Sequence, residues 1–290
     1  MTVRHQRGVA LIQVLLITTI ILLLSVYFVT LAKTQVGKAR EFQDRTQAWL
    51  NYYSAKNAVT YSLLTESREE IKEKGWNYHG QPFYITENVK ISVQDLNGLY
   101  SLASLVSDER LKRILASEGT IPNVANVSSA ILDWIDVDNV ALPLGGEQSS
   151  YGSVTKVRNG PVQTINELMY IKGVNAEVVR VVNENMTFHP TPLFNPFSAP
   201  EAVLHAFTTD RNAISEVIKL REQHSISEKE VSTKLNLYSD EGIGYIIGPG
   251  FRLTIESRVN DSYFGQVEEF RVLPYRQYPL HLLSRRAKLN

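Results

Sequence analysis

GVALIQVLLITTIILLLSVYFVTLA, residues Gly8–Ala32, contains no charged side chain and one strongly polar one, Gln13. As a helix, Val9 to Ala32 would extend roughly 36 Å at about 1.5 Å per residue, enough to cross a bilayer core. Arg4 and Arg7 precede it; Lys33, Lys38 and Arg40 follow. A soluble core rarely holds so long an apolar helix, and everything after Ala32 reads as polar protein, so one membrane helix presents one large body. Flanking charge alone is nearly balanced and does not orient the span. A cleaved secretory signal would have a shorter apolar run and a small-x-small site at its end. Here Val29-Thr30-Leu31-Ala32 is a poor site, and the small residue, Gly8, stands at the front.

Gln6-Arg7-Gly8 followed by Val9-Ala10-Leu11-Ile12-Gln13 resembles the type IV pilin-like signal, a short basic leader ending in Gly. The resemblance implies cleavage between Gly8 and Val9 by a prepilin peptidase on the cytoplasmic side, and methylation. It also puts a soluble body in the periplasm on an inner-membrane anchor. Gln13 occupies the fifth mature position, where most of the family carry a Glu that neutralises a neighbour's amino terminus during assembly. Loss of that Glu is a feature of the K-type minor pseudopilins of type II secretion systems. A buried carboxylate without a partner is costly, and a subunit with nothing above it does not need one.

The 290 residues leave room for this helix plus one large or two medium domains. Thirty basic and 30 acidic residues cancel, which argues against a general nucleic-acid surface. There is no Cys, so disulfides, thiolate metal sites and cysteine nucleophiles are excluded.

No Pro precedes Pro82, and no Gly lies between Gly37 and Gly75. A helix from Val9 to about Lys74 is therefore expected, bent or broken near Gly37. Trp49, Tyr52, Tyr53, Lys56, Val59, Tyr61 and Leu63 recur at helical intervals. They read as a face on which a sheet packs, with a stacking platform for a ligand as the sharper alternative. Gln81–Thr86 and Asn88–Gln94 alternate as a hairpin, and Asp95–Leu102 reads as a turn into an extended exit.

From about Ser107 to Met186 the pattern turns helical: Asp108–Glu118, Asn126–Asp136 capped by Asn126 or Ser128, and a pair, Ile165–Ile171 and Ala176–Glu184, around Lys172-Gly173-Val174. Helices near Pro200–Phe207 (Ser198 as cap), Asp210–Gln223 and Ser227–Leu235 follow. Phe251–Val259 and Tyr263–Val272 then form a hairpin across Asn260-Asp261-Ser262. The basic end (Arg276, Arg285, Arg286, Lys288) reads as a solvated tail, or as a docking segment for an acidic partner.

Asp133-Trp134-Ile135-Asp136-Val137-Asp138, with Glu147 beyond a glycine-bearing loop, offers the hard oxygens Ca²⁺ prefers. Counting from Asp136, Asp138 and Glu147 fall at EF-hand positions three and twelve. Val140 at five and Ala141 at six break that motif. On residue types alone, carboxylates ending a helix in solvent are the favoured reading. The wider pattern shifts it. Asp133–Asp138, Gly145-Gly146-Glu147, Tyr151, Asn159-Gly160-Pro161 and Glu167-Leu168 together resemble the K-type pseudopilin signature, whose members bind calcium here. Gln148 departs from it, since an acid usually follows the Glu. By that resemblance Asp133, Asp136, Asp138 and Glu147 are the expected ligands.

The Lys172-Gly173-Val174 turn resembles a helix-hairpin-helix, but internal packing suits the neutral charge better than DNA. No G-x-x-x-x-G-K-[ST], G-x-S-x-G or H-E-x-x-H occurs, and the six His are scattered, so an enzyme is not expected.

The reading is an α+β, pilin-like fold with a large inserted α-helical domain. Its segments are a leader (1–8), a transmembrane helix (9–32), the pilin helix and first strands (33–106), a helical insertion (107–249), a closing hairpin (250–275) and a basic tail (276–290). The resemblance implies a minor pseudopilin at the pseudopilus tip, helping to initiate assembly and export folded proteins. Its partners would be other minor pseudopilins, the major pseudopilin and the prepilin peptidase. The alternatives are a minor pilin of a type IV pilus or competence system, and a membrane-anchored helix-hairpin-helix DNA binder.

Overall fold

The computed structural model describes residues 7–288 except 105, 154, 224 and 241. Residues 1–6 of the expected leader lie outside this range; the backbone of Gly8 and Val9 is already helical, and their side chains are outside the description.

One helix, α1 (Arg7–Thr65, 59 residues), runs through Gly37 without a break. With no Pro or cap signal inside it, one exposed Gly does not stop propagation. The expected continuation to Lys74 fails instead at Ser67. Its side chain accepts from Glu70 N while the Glu70 side chain receives the Ser67 N–H, a capping box that restarts the chain as α2 (Arg68–Glu73). From Leu11 to Leu31 the apolar side chains of α1 point into open space on every face. Its later turns are amphipathic: Tyr52, Ala55 and Val59 are buried, whereas Trp49 and Tyr61 face outward.

That buried stripe packs on an antiparallel sheet of β1 (Phe83–Thr86), β2 (Val89–Asp95), β5 (Gly250–Val259), β6 (Ser262–Val272) and β7 (Leu280–Ala287), in that order. Ile91, Val93, Leu253, Ile255, Phe270 and Val272 meet the helix in one apolar core. Both expected hairpins are present. The basic end is neither a solvated tail nor free for docking along its length, because β7 pairs with β6 from Gln266↔Ala287 to Val272↔Leu280.

β2 and β5 are neighbours, with Asp95 opposite Phe251, so the chain leaves the sheet and returns beside its point of exit. Between them lies a second core built by α3 (Asp108–Ala116), α4 (Val124–Ile135), α5 (Ala176–Asn185), α6 (Glu201–Phe207), α7 (Arg211–Glu222) and α8 (Glu228–Leu235). A short parallel pair, β3 (Tyr100–Ser101) with β4 (Met186–Thr187), straps its base. Three local expectations change. α4 starts two residues early behind Asn123 in the left-handed region, without a side-chain cap. Ile165–Tyr170 is a 3₁₀ segment rather than an α-helix. Ser198 does not cap α6; its hydroxyl donates to Asp95 Oδ2 (2.8 Å), and Pro200 takes the cap position.

Candidate metal centre

Asp133 lies in the last turn of α4, Asp136 caps its C-terminal end, and Glu147 returns after the loop. One carboxylate oxygen from each falls within 4.8 Å of the others. Asp133, 0% exposed, is held by backbone amides: Leu142 N donates to it at 3.1 Å and Gly146 N at 2.6 Å. Gly145 is required here, because a Cβ would collide with Asp133 Oδ2.

The other two carboxylates have no such support. Asp136 Oδ1 and both Glu147 oxygens are three of the five buried side-chain polar atoms without a hydrogen-bond partner among the described residues. Glu147 is 4% exposed. Burial, then mutual repulsion with the neighbouring acids, raises the pKa of Asp136 and Glu147 above the usual carboxylate range. Buried anionic oxygens facing one another with no donor fit a hard cation, with backbone oxygens and water completing about six to eight ligands.

Asp138 stands apart from this group. It is exposed, and its Oδ1 accepts from Val140 N at 2.8 Å, folding the loop rather than joining the cluster. Gln148 also serves the loop: Nε2 donates to Thr155 O (2.9 Å), while Val157 N donates to Oε1 (3.0 Å). The amide thus does a bridging job that a carboxylate, lacking a donor, cannot do.

The remaining motif residues buttress the site. Asn159, at φ 48°, donates from Nδ2 to Asp138 O (2.7 Å) and to Asn139 Oδ1 (3.0 Å). Glu167 accepts from Trp134 Nε1 (2.9 Å), from Gln163 N (3.1 Å) and from Arg158. Burial alone would raise Glu167, but these donors outweigh it and hold its pKa below the usual range. Tyr151 packs edge-on against Trp134, at 5.7 Å between ring centres, and its hydroxyl accepts from Lys172 N (3.1 Å). That contact engages one of the turn amides a DNA phosphate would need. Arg180 is meanwhile committed to Glu177, Glu184 and Glu118. Sequence reading missed the amide cradle of Asp133. Its one visible signal was the Gly145-Gly146 pair.

At the other end of the molecule Gln13 sits exposed in the apolar stretch of α1, the one helix among the described residues long and apolar enough to cross a membrane.

Residues 94–191, which hold this site, match the family model described as type II secretion system protein K. No curated protein matches the chain. A chain in the crystal structure of the GspK–GspI–GspJ complex from the enterotoxigenic Escherichia coli type 2 secretion system is similar in fold. The TM-score is 0.57 at 18% identity, covering 87% of this chain and 100% of that one.

Proposed function

From the match of residues 94–191 to the model of type II secretion system protein K, we propose that this chain belongs to that family and is a minor pseudopilin at the tip of a secretion pseudopilus. One observation supports this above all. The family-matched module is inserted between two adjacent strands of a pilin-like sheet, on a helix whose first turns present apolar side chains on every face. Such a helix suits burial in an inner membrane before assembly and against neighbouring subunits after it, with the sheet and insertion in the periplasm. Gln13 in place of Glu suits a subunit with none above it, and the bulk of the insertion leaves little room for one. The role is structural, helping to start the filament and to export folded proteins.

The fold relative comes from a GspK–GspI–GspJ complex; by that likeness the partners proposed here are other minor pseudopilins, with the major pseudopilin below. Co-purification of the detergent-solubilised chain from its native membrane tests this. Minor pseudopilins in the eluate are expected; pilus or competence pilins in their place would overturn the secretion reading. Mass spectrometry of the same material should find Val9 as the amino terminus, after prepilin peptidase has removed residues 1–8.

The acidic centre is proposed to bind calcium through Asp133, Asp136 and Glu147, with Asp138 shaping the loop. At a hundredfold excess over Kd, calcium should raise the Tm by about 5–10 °C. Glu147→Gln should abolish that rise. In chelator the same variant should melt no lower than the wild type, because it removes one unpartnered charge. A full calcium response in Glu147→Gln would exclude the site.

A further inference from the structure

α2 and the chain after it approach the α7–α8 corner across a cleft of about 610 Å³. Arg221 lines it, 5% exposed. Nη1 donates to the carbonyls of Phe197 (2.9 Å) and Ala199 (2.8 Å), while the buried Nε has no partner. Among the described residues no ion pair reaches this guanidinium. Carbonyls satisfy donors without neutralising charge, so a buried cation here is costly unless something else pays for it.

Burial, only partly offset by Glu222, lowers the Arg221 pKa to about 10, so the group remains protonated at neutral pH. Around it the cleft carries Arg68, Lys72 and Lys229 against Glu69 and Glu228, an excess of cations. One wall is apolar. Trp76 lies stacked on Phe83 at 4.9 Å and 17° with Lys74 Nζ 5.3 Å from its ring centre, which fixes it in place, and Ile247, whose carbonyl accepts from Arg68, belongs to the same lining. A cleft of this size with a rigid aromatic wall and a fixed cation has the make-up of a ligand site.

We propose that this cleft is a docking site for an acidic, apolar peptide segment of another protein. A carboxylate of the segment would meet Arg221 and the basic rim, and an adjoining apolar side chain would lie against the Trp76 edge and Ile247. This site goes beyond the pseudopilin reading and does not depend on the calcium centre.

The test is titration calorimetry of the detergent-solubilised full chain with an acetylated, amidated pentapeptide alternating phenylalanine with aspartate. Saturable one-to-one binding with Kd below about 100 µM is expected. Replacing aspartate by asparagine in the peptide should weaken it tenfold or more. Arg68→Glu/Lys72→Glu, at exposed positions, should do the same, as should Arg221→Met wherever circular dichroism shows it folded. Absence of saturable heat would overturn the proposal. So would equal affinity for the asparagine peptide, or unaltered affinity in the Arg68→Glu/Lys72→Glu variant.

Discussion

Glu269 is a strand residue with a charged side chain only 2% exposed, and its neighbours explain how that is tolerated. Arg252 pairs with it at 2.7 Å and also donates to the carbonyls of Asn183 and Met186, so this carboxylate anchors the end of α5 to the sheet. His189 and Arg286 lie at 3.3 and 4.0 Å. Removing the acid alone strands two arginines, so Glu269→Ala should cost about 3–5 kcal/mol by denaturant unfolding. Burial pushes the Glu269 pKa up, but Arg252 and then Arg286 and His189 outweigh it and hold it below the ordinary value of 4.5. A folded pKa below the unfolded one means the stabilisation is complete above about pH 4.5 and drains as pH falls through the folded value. The wild type should therefore lose stability in that acid window, and Glu269→Ala should lose less. At the proposed calcium site, Gly145→Ala should push the Asp133 carboxylate off its two amides. The expected result is about 1–3 kcal/mol lost in chelator and no calcium-induced rise in Tm. The convergence of Asp133, Asp136 and Glu147 was legible because acids and glycines cluster in the sequence there. The place of Asp138 outside that cluster was not, since it turns on one hydrogen bond from a backbone amide two residues away.

Elements were legible in proportion to how locally they are determined. α7 and α8 carry acidic or serine caps and a clear apolar stripe, and their bounds follow within a residue or two. β5 and β6 alternate and share a turn at Asn260, whose φ of 52° suits its residue type. β7 was not legible. Its stretch LHLLSRRA keeps partly exposed leucines and three bases, and only Glu268 on β6 makes sense of Arg285, which pairs with it at 2.8 Å. The same Glu268 takes Lys56 of α1 at 2.6 Å, so β7 and the long helix are tied to one carboxylate from two sides. Continuity of α1 through Gly37 was the other surprise, and it carries its own test. A Cβ at Gly37 meets nothing within 4 Å, so Gly37→Ala should stabilise the helix locally by about 0.5–1 kcal/mol. Slower amide exchange around residues 33–41 would show it, with no change in the exchange of β5 or β6.

At the scale of the whole molecule there are two apolar cores, one under α1 and the sheet, one inside the helical insertion, joined where β2 ends and β5 begins. Asp95 closes that junction. It is 0% exposed and accepts four hydrogen bonds, from Asn97 N (3.0 Å), Gly248 N (3.1 Å), Asn195 Nδ2 (3.1 Å) and Ser198 Oγ (2.8 Å). These donors come from the outgoing strand's turn, the returning chain and the segment before α6, so one side chain holds exit and re-entry together. Gln94 adds a bond from Nε2 to Ser198 O at 2.8 Å. Each half of this latch was visible as a polar turn, but nothing local says that residues about a hundred positions apart meet. Asp95→Ala would leave buried donors without acceptors at about 1–3 kcal/mol each, partly relieved by water, so a loss of at least about 3 kcal/mol is expected. The sharper outcome concerns cooperativity. With the latch gone, the cores retain their own packing but lose their coupling, and calorimetry should resolve two transitions where the wild type shows one. Calcium should then shift only the transition of the helical insertion, because Asp133, Asp136 and Glu147 all lie within it. A single transition moved as a whole by calcium in Asp95→Ala would mean that the apolar contacts between insertion and sheet, rather than this carboxylate, make the molecule unfold as one.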